Sequence, residues 1–138
     1  VNTESEGPGR KRTRLKAYIA GYLDGEGCIR WQANRAYVSI TNTYPHVLNL
    51  ICRKYRGKVR KMKSRSQAHR TTFRWEVHGE HALRFLRSML PHLIEKKRQA
   101  SIVIELGEIS SRYETAYIKA LIVELATLKR IDYAEEEA

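Results

Sequence analysis

The chain has 138 residues, of which 42% are hydrophobic, enough for one domain with a core and too few for two ordinary domains. Lys and Arg number 26 against 15 acids, a net charge of +11, so a polyanionic partner is expected, nucleic acid before an anionic membrane surface. Cys28 and Cys52 are too few for a disulfide framework and show no CxxC or Cys/His zinc spacing, which excludes a disulfide-stapled scaffold and points to a reducing, intracellular setting.

Residues 1–12 are polar, contain Gly7, Pro8 and Gly9, and end in Arg10-Lys11-Arg12. They read as a disordered basic arm without the apolar run of a secretory signal. One domain is expected over residues 13–130, and residues 131–138 read as a loose acidic tail. A helix is expected from Thr13, its N-cap, because Leu15, Tyr18, Ile19, Tyr22 and Leu23 fall at helical spacing. Gly25-Glu26-Gly27 must end it.

Two strands follow, with alternation in Ile29-Arg30-Trp31-Gln32 and again in Tyr37 to Asn42, and a turn at Asn34-Arg35. Ile29, Trp31, Val38 and Ile40 share the inner face. Arg30, Gln32, Tyr37, Ser39 and Thr41 share the outer one. Pro45 opens a helix that buries Leu48, Ile51, Cys52 and Tyr55 and ends at Gly57. A second hairpin runs from Lys58 to His78, with a loop at Ser64–His69. Val59, Phe73, Trp75 and Val77 face inward; Lys58, Arg60, Met62, Thr72, Arg74 and Glu76 face outward. Helices are expected at about Glu80–Met89, through Leu93 to Leu106 after the break at Pro91, and at about Glu114–Lys129. The longest apolar runs, Ser101–Leu106 and Ala120–Leu128, are short and carry Glu105 and Glu124, so no membrane span is expected. Trp31, Trp75, Cys28 and Cys52 read as core residues. The order is that of an α+β fold, one antiparallel sheet with helices on one face.

The other face then needs its own explanation. Residues 53–74 hold ten Lys/Arg and no acid, a density expected of a phosphate-binding ribbon that includes Lys58, Arg60, Lys63, Arg65, Arg70 and Arg74. Arg30, Gln32, Asn34, Ser39, Thr41 and Thr72 are hydrogen-bonding types that address base edges, and a two-stranded ribbon fits the major groove. Tyr37 is the main stacking candidate. Ala17, Gly21 and Gly25 lie four apart, with Ala20 beside them, a stripe that lets two helix backbones approach closely.

The segment Ile19-Ala20-Gly21-Tyr22-Leu23-Asp24-Gly25-Glu26-Gly27 resembles the nine-residue signature of the LAGLIDADG homing endonucleases, with Glu in place of the commoner final Asp. Leu90-Pro91-His92-Leu93 followed by Lys96-Lys97-Arg98-Gln99-Ala100 is similar to a later segment of the same family. The similarity spans about Leu15 to Leu106. It implies an αββαββα fold with a four-stranded saddle, and, because the motif occurs once, a homodimer whose motif helices meet on the two-fold axis through Ala17, Ala20, Gly21 and Asp24. It implies a sequence-specific double-strand cut in a long near-palindromic DNA, dependent on Mg2+ (or Mn2+) at the Glu26 carboxylate and the Gly25 carbonyl. It further implies that Lys96 stabilises charge near the scissile phosphate, with Asn42 and His46 around the attacking water and Lys97 and Arg98 on DNA. The expected location is intracellular, with the host genome. An intron-splicing maturase that binds intron RNA, or a non-cleaving regulator of the same fold, is the alternative; the presence of Glu26 and Lys96 favours a cutter.

Overall fold

The computed structural model describes residues 7–63, 71–109 and 115–137, with side chains as far as residue 130. Helix α1 (Pro8–Glu26) leads into a hairpin of β1 (Gly27–Gln32) and β2 (Arg35–Asn42). Helix α2 (His46–Tyr55) joins it to β3 (Lys58–Met62) and β4 (Thr72–His78). Then come α3 (Gly79–Met89), a 3-10 turn (Leu90–His92), α4 (Lys97–Glu108) and α5 (Ala116–Glu137). The strands form one antiparallel sheet in the order β1-β2-β4-β3. The expected α+β order is therefore present.

The register explains the two faces. Ile29 pairs with Val38, Trp31 with Ala36 and Ile40 with Trp75, and all but the half-buried Trp31 are buried in the core. Successive strand residues alternate sides, so Cys28, Arg30, Gln32, Tyr37, Ser39, Thr41, Lys58, Arg60, Thr72, Arg74, Glu76 and His78 share the face away from the core. Helix α3 presents Ala82, Leu83, Phe85, Leu86 and Met89 as one buried stripe. Phe85 meets Trp75 edge-on at 4.8 Å and Tyr55 at 5.0 Å, tying α2 and α3 to β4 through aromatic contacts.

Two connections depend on special backbone. Ala33 and Asn34 have φ of 52° and 58°, the two-residue turn that matches strand twist. Gln32 accordingly pairs with Arg35, so the turn lies one residue earlier than the sequence suggests and Arg35 opens β2. Gly57 has φ of 89°, and a Cβ there would come within 2.4 Å of the Glu76 carbonyl oxygen. Gly57→Ala is expected to lower the unfolding free energy by about 2 kcal/mol or more, measured as an earlier midpoint in urea at unchanged slope.

Several element bounds differ from the sequence expectation. Helix α1 starts at Pro8, with Gly7 as N-cap, because proline is preorganised for the first helical turn; residues 8–12 are thus helical rather than a disordered arm. Thr13 donates its hydroxyl to the Gly9 carbonyl at 3.0 Å inside the helix. Residues 1–6 and the Ser64–His69 loop lie outside the described residues. Helix α4 begins only at Lys97, so Leu93 and Ile94 precede it; Leu93 is buried and Ile94 is 83% exposed. Helix α5 runs to Glu137, through the segment expected as an acidic tail. Cys28 and Cys52 are both half-buried; Cys52 packs against the core as expected, whereas Cys28 lies on the outer sheet face. Among the described residues no helix is long and apolar enough to cross a membrane.

Candidate nucleic-acid interface and catalytic centre

Helix α1 delivers its last turn to the start of β1. Gly27 sits so close behind it that a Cβ would lie 2.4 Å from the Leu23 side chain. That contact fixes where the acids of the last turn stand. Asp24 and Glu26 both lie at the helix C-terminus, where the macrodipole disfavours anions, and no basic residue occupies that turn. Each such carboxylate costs a few tenths to about 1 kcal/mol unless a cation or donor offsets it.

Asp24 finds donors within the chain. Its carboxylate accepts the main-chain N–H of Ile94 at 2.8 Å and of Lys96 at 3.0 Å. The Lys96 ammonium donates to the Asp24 carbonyl oxygen at 2.5 Å. These three bonds bring Ile94 and Lys96, 70 and 72 residues from Asp24 in the chain, to the end of the motif helix. Asp24→Ala leaves the two N–H groups without an acceptor and is expected to cost about 1–3 kcal/mol, read by chemical denaturation.

Glu26 is exposed at the very end of α1, inside the helix rather than just beyond it. Asn42 ends β2 at the same end of the sheet. Its amide N–H donates to the Tyr22 hydroxyl of α1, and its Oδ1 accepts the N–H of Thr43 at 2.6 Å and of Tyr44 at 3.3 Å. Asn42 thus braces α1 against the following turn. His46 is exposed in the first turn of α2. The structure therefore gathers Lys96 and Asn42 at the end of α1 that carries Gly25 and Glu26. Among the described residues no group of three His, Cys, Asp or Glu could hold a metal ion; at this end of α1 the exposed hard carboxylate is that of Glu26. That fits Mg2+, which binds through one or two carboxylates plus phosphate oxygens and water.

The outer side of α1 is open. Nothing lies within 4 Å of a Cβ built on Gly21 or Gly25, and Ala17 and Tyr18 are exposed beside them. Only Ile19, Ala20 and Leu23 of this 19-residue helix are buried. Ala20 belongs to the chain's own core, which removes it from the expected dimer stripe. The Asp24 carboxylate is likewise engaged inside the chain. Ile94, whose N–H reaches Asp24, lies within the span expected as a helix from Leu93 but precedes α4 and is exposed; the sequence carries no local signal for its bond to Asp24.

The outer sheet face is strongly cationic. Arg30, Gln32, Asn34, Lys58, Arg60 and, just past β3, Lys63 are exposed. Arg74 donates to the Thr41 hydroxyl at 3.2 Å, and Thr41, Thr72 and Arg74 are half-buried. Arg30 donates to the Cys28 sulfur at 3.1 Å, a bond that raises the guanidinium pKa. Two expected contact residues are sunk into the face. Tyr37 is 7% exposed and packs on the His78 ring at 4.8 Å, so it is no free stacking platform; Ser39 is buried between β1 and β4. Arg98 lies on α4 and holds Glu124 through two bonds, at 2.5 and 2.8 Å, so its guanidinium is engaged within the chain rather than on the outer sheet face. Lys97 is exposed beside it at the start of α4. Arg65 and Arg70 lie outside the described residues. Glu76 lies on this face as its strand parity predicts; Arg35 and His78 join it although they were not among the expected contacts, and correct placement of the turn would have put Arg35 there.

Residues 14–89 match the family model described as a LAGLIDADG-like domain, a stretch that ends before Lys96. No curated protein matches the chain in sequence. Among solved structures, the homing endonuclease I-CvuI in complex with its target and 2 mM Ca aligns at 19% identity and a TM-score of 0.54, over 86% of this chain and 96% of that one. The same endonuclease with an I-CreI target and 2 mM Mg, in which the DNA is not cleaved, aligns at 18% identity and a TM-score of 0.54, over 84% and 97% of the two chains. The archaeal intron-encoded homing endonuclease I-Vdi141I complexed with DNA aligns at 16% identity and a TM-score of 0.49, over 85% and 98%. The fold of this chain is the fold of the I-CvuI structures.

Proposed function

The chain belongs to the LAGLIDADG-like domain family, and from that premise we propose that it is a homing endonuclease acting as a homodimer on a long, near-palindromic DNA. The observation that carries this reading is the open side of α1, which ends in the exposed Glu26 carboxylate next to a cationic sheet face. A second copy packed against Ala17, Gly21 and Gly25 would be an isologous contact. It would set two Glu26 carboxylates near the two-fold axis and extend two reading faces to either side.

Each face would read a half-site. Phosphate contacts from Lys58, Lys63 and the residues around them fix the register, and Arg30, Gln32 and Asn34 address base edges. Glu26 and the Gly25 carbonyl would hold Mg2+ (or Mn2+), which when bound stabilises the charge of the leaving 3′ oxygen and helps activate water. Lys96, pinned at the helix end by Asp24, holds a positive charge where the phosphate gains negative charge. Asn42 keeps the end of α1 and the turn after β2 in fixed relation. His46, exposed in the first turn of α2, would act on the attacking water.

The test is incubation with a plasmid library carrying randomised inserts, in Mg2+ and in parallel in EDTA. Linear plasmid in the Mg2+ sample alone is the expected result. Retention of DNA or intron RNA with no cutting in Mg2+ or Mn2+ would replace this function with that of a maturase or regulator of the same fold.

A further inference from the structure

Glu76 is the only acid in the four strands. It lies on the outer face, in one row across the sheet with Cys28, Ser39 and Lys58, and is 9% exposed. A carboxylate there opposes a polyanionic partner, so on electrostatic grounds alone it weakens binding. Its surroundings give it a use. Its Oε1 accepts a hydrogen bond from Nη2 of Arg60, which reaches over from the edge strand β3. Its Oε2 lies 3.8 Å from Nε2 of His78. The group borders a cavity of about 570 Å3 whose other walls include Arg35, Arg56 and Lys58. The Arg60 guanidinium is exposed while the Glu76 carboxylate is not, so the acid anchors the base of a long side chain whose outer N–H groups remain available.

An arginine free on an edge strand samples many rotamers and binds phosphates without regard to sequence. Guanidinium carries five donors in a fixed fork. Once one donor is held by a carboxylate, the rest point in a set direction and can reach O6 and N7 of a guanine as a pair. We propose that Glu76 is a specificity-determining residue of the reading face, holding Arg60 in the orientation that reads one guanine in each half-site. This inference rests on the DNA-reading function above.

The test is a binding selection on a randomised duplex library in EDTA, with the wild type, Glu76→Gln, Arg60→Leu and the double variant. Both single variants are expected to lose preference at the same base pair of each half-site, by about tenfold. The double variant should lose no more than either single. Glu76→Gln should also bind random-sequence duplex at least as tightly as the wild type, because a negative charge is gone; a merely structural role would weaken all binding. If Glu76→Gln does not fold, Glu76→Asp, which draws the carboxylate back by one methylene, takes its place in the comparison. An unchanged preference overturns the inference, as does loss at a different base pair from Arg60→Leu, which would mean that the carboxylate reads a base of its own. A wild type that selects no sequence would instead bring down the DNA-reading function itself.

Discussion

Glu26→Gln is expected to abolish cleavage while leaving DNA affinity and stability nearly unchanged. The side chain is exposed at the last residue of α1 and supports no part of the core. The helix dipole is negative there, so removing the charge slightly favours the folded chain. Affinity is set by many cationic residues along the sheet face, and one fewer anion near the phosphates does not weaken it. The chemistry has no substitute: an amide oxygen is a neutral and weaker ligand for Mg2+ than a carboxylate. The cleavage rate should fall by about a thousandfold or more, the several kcal/mol that a bound metal contributes to the transition state. Single-turnover cleavage and equilibrium binding of the same duplex measure the two quantities separately. A variant that cuts at the wild-type rate would remove Glu26 from the site.

The second large effect is expected at Gly21. A glycine inside a helix is about 1 kcal/mol less favourable than alanine or leucine. Nothing within 4 Å in the chain forbids a side chain at this position. The single chain therefore has no need of glycine there, whereas two helices crossing at that point do. Gly21→Leu should fold with an equal or higher melting temperature, sediment as a monomer and lose double-strand cleavage. A dimer that persists with normal cutting would show that the pairing face is elsewhere. This separation of fold from assembly is possible because α1 buries only three residues in its own core.

Much of this site was legible in the sequence for physical reasons. The period-2 alternation in both hairpins assigned Arg30, Thr41, Arg60 and Arg74 to the outer face, and the observed register agrees. The glycines at 21 and 25 marked the open side of α1. What periodicity could not show was which side chains the pleat would leave uncovered. Tyr37 and Ser39 have the right parity but sit on an inner strand, flanked by β1 and β4, and are covered. Ala20 fits the small-residue stripe yet turns toward the core, because residues 20 and 21 differ by about 100° around a helix. Arg98 was lost to Glu124, a partner on a helix whose position no local pattern records. Asp24 is the reverse case. Its neighbours in sequence said only that a helix ended there, and its bonds to residues 94 and 96 follow from the tertiary fold.

The most direct test of the central claim is to sequence the ends of plasmids cut from the randomised library in Mg2+ and to weigh the complex of protein with the recovered duplex by sedimentation. The account predicts one family of sites with inverted half-sites about the cut and two chains on each duplex. Cutting at an asymmetric sequence by a single bound chain would contradict it.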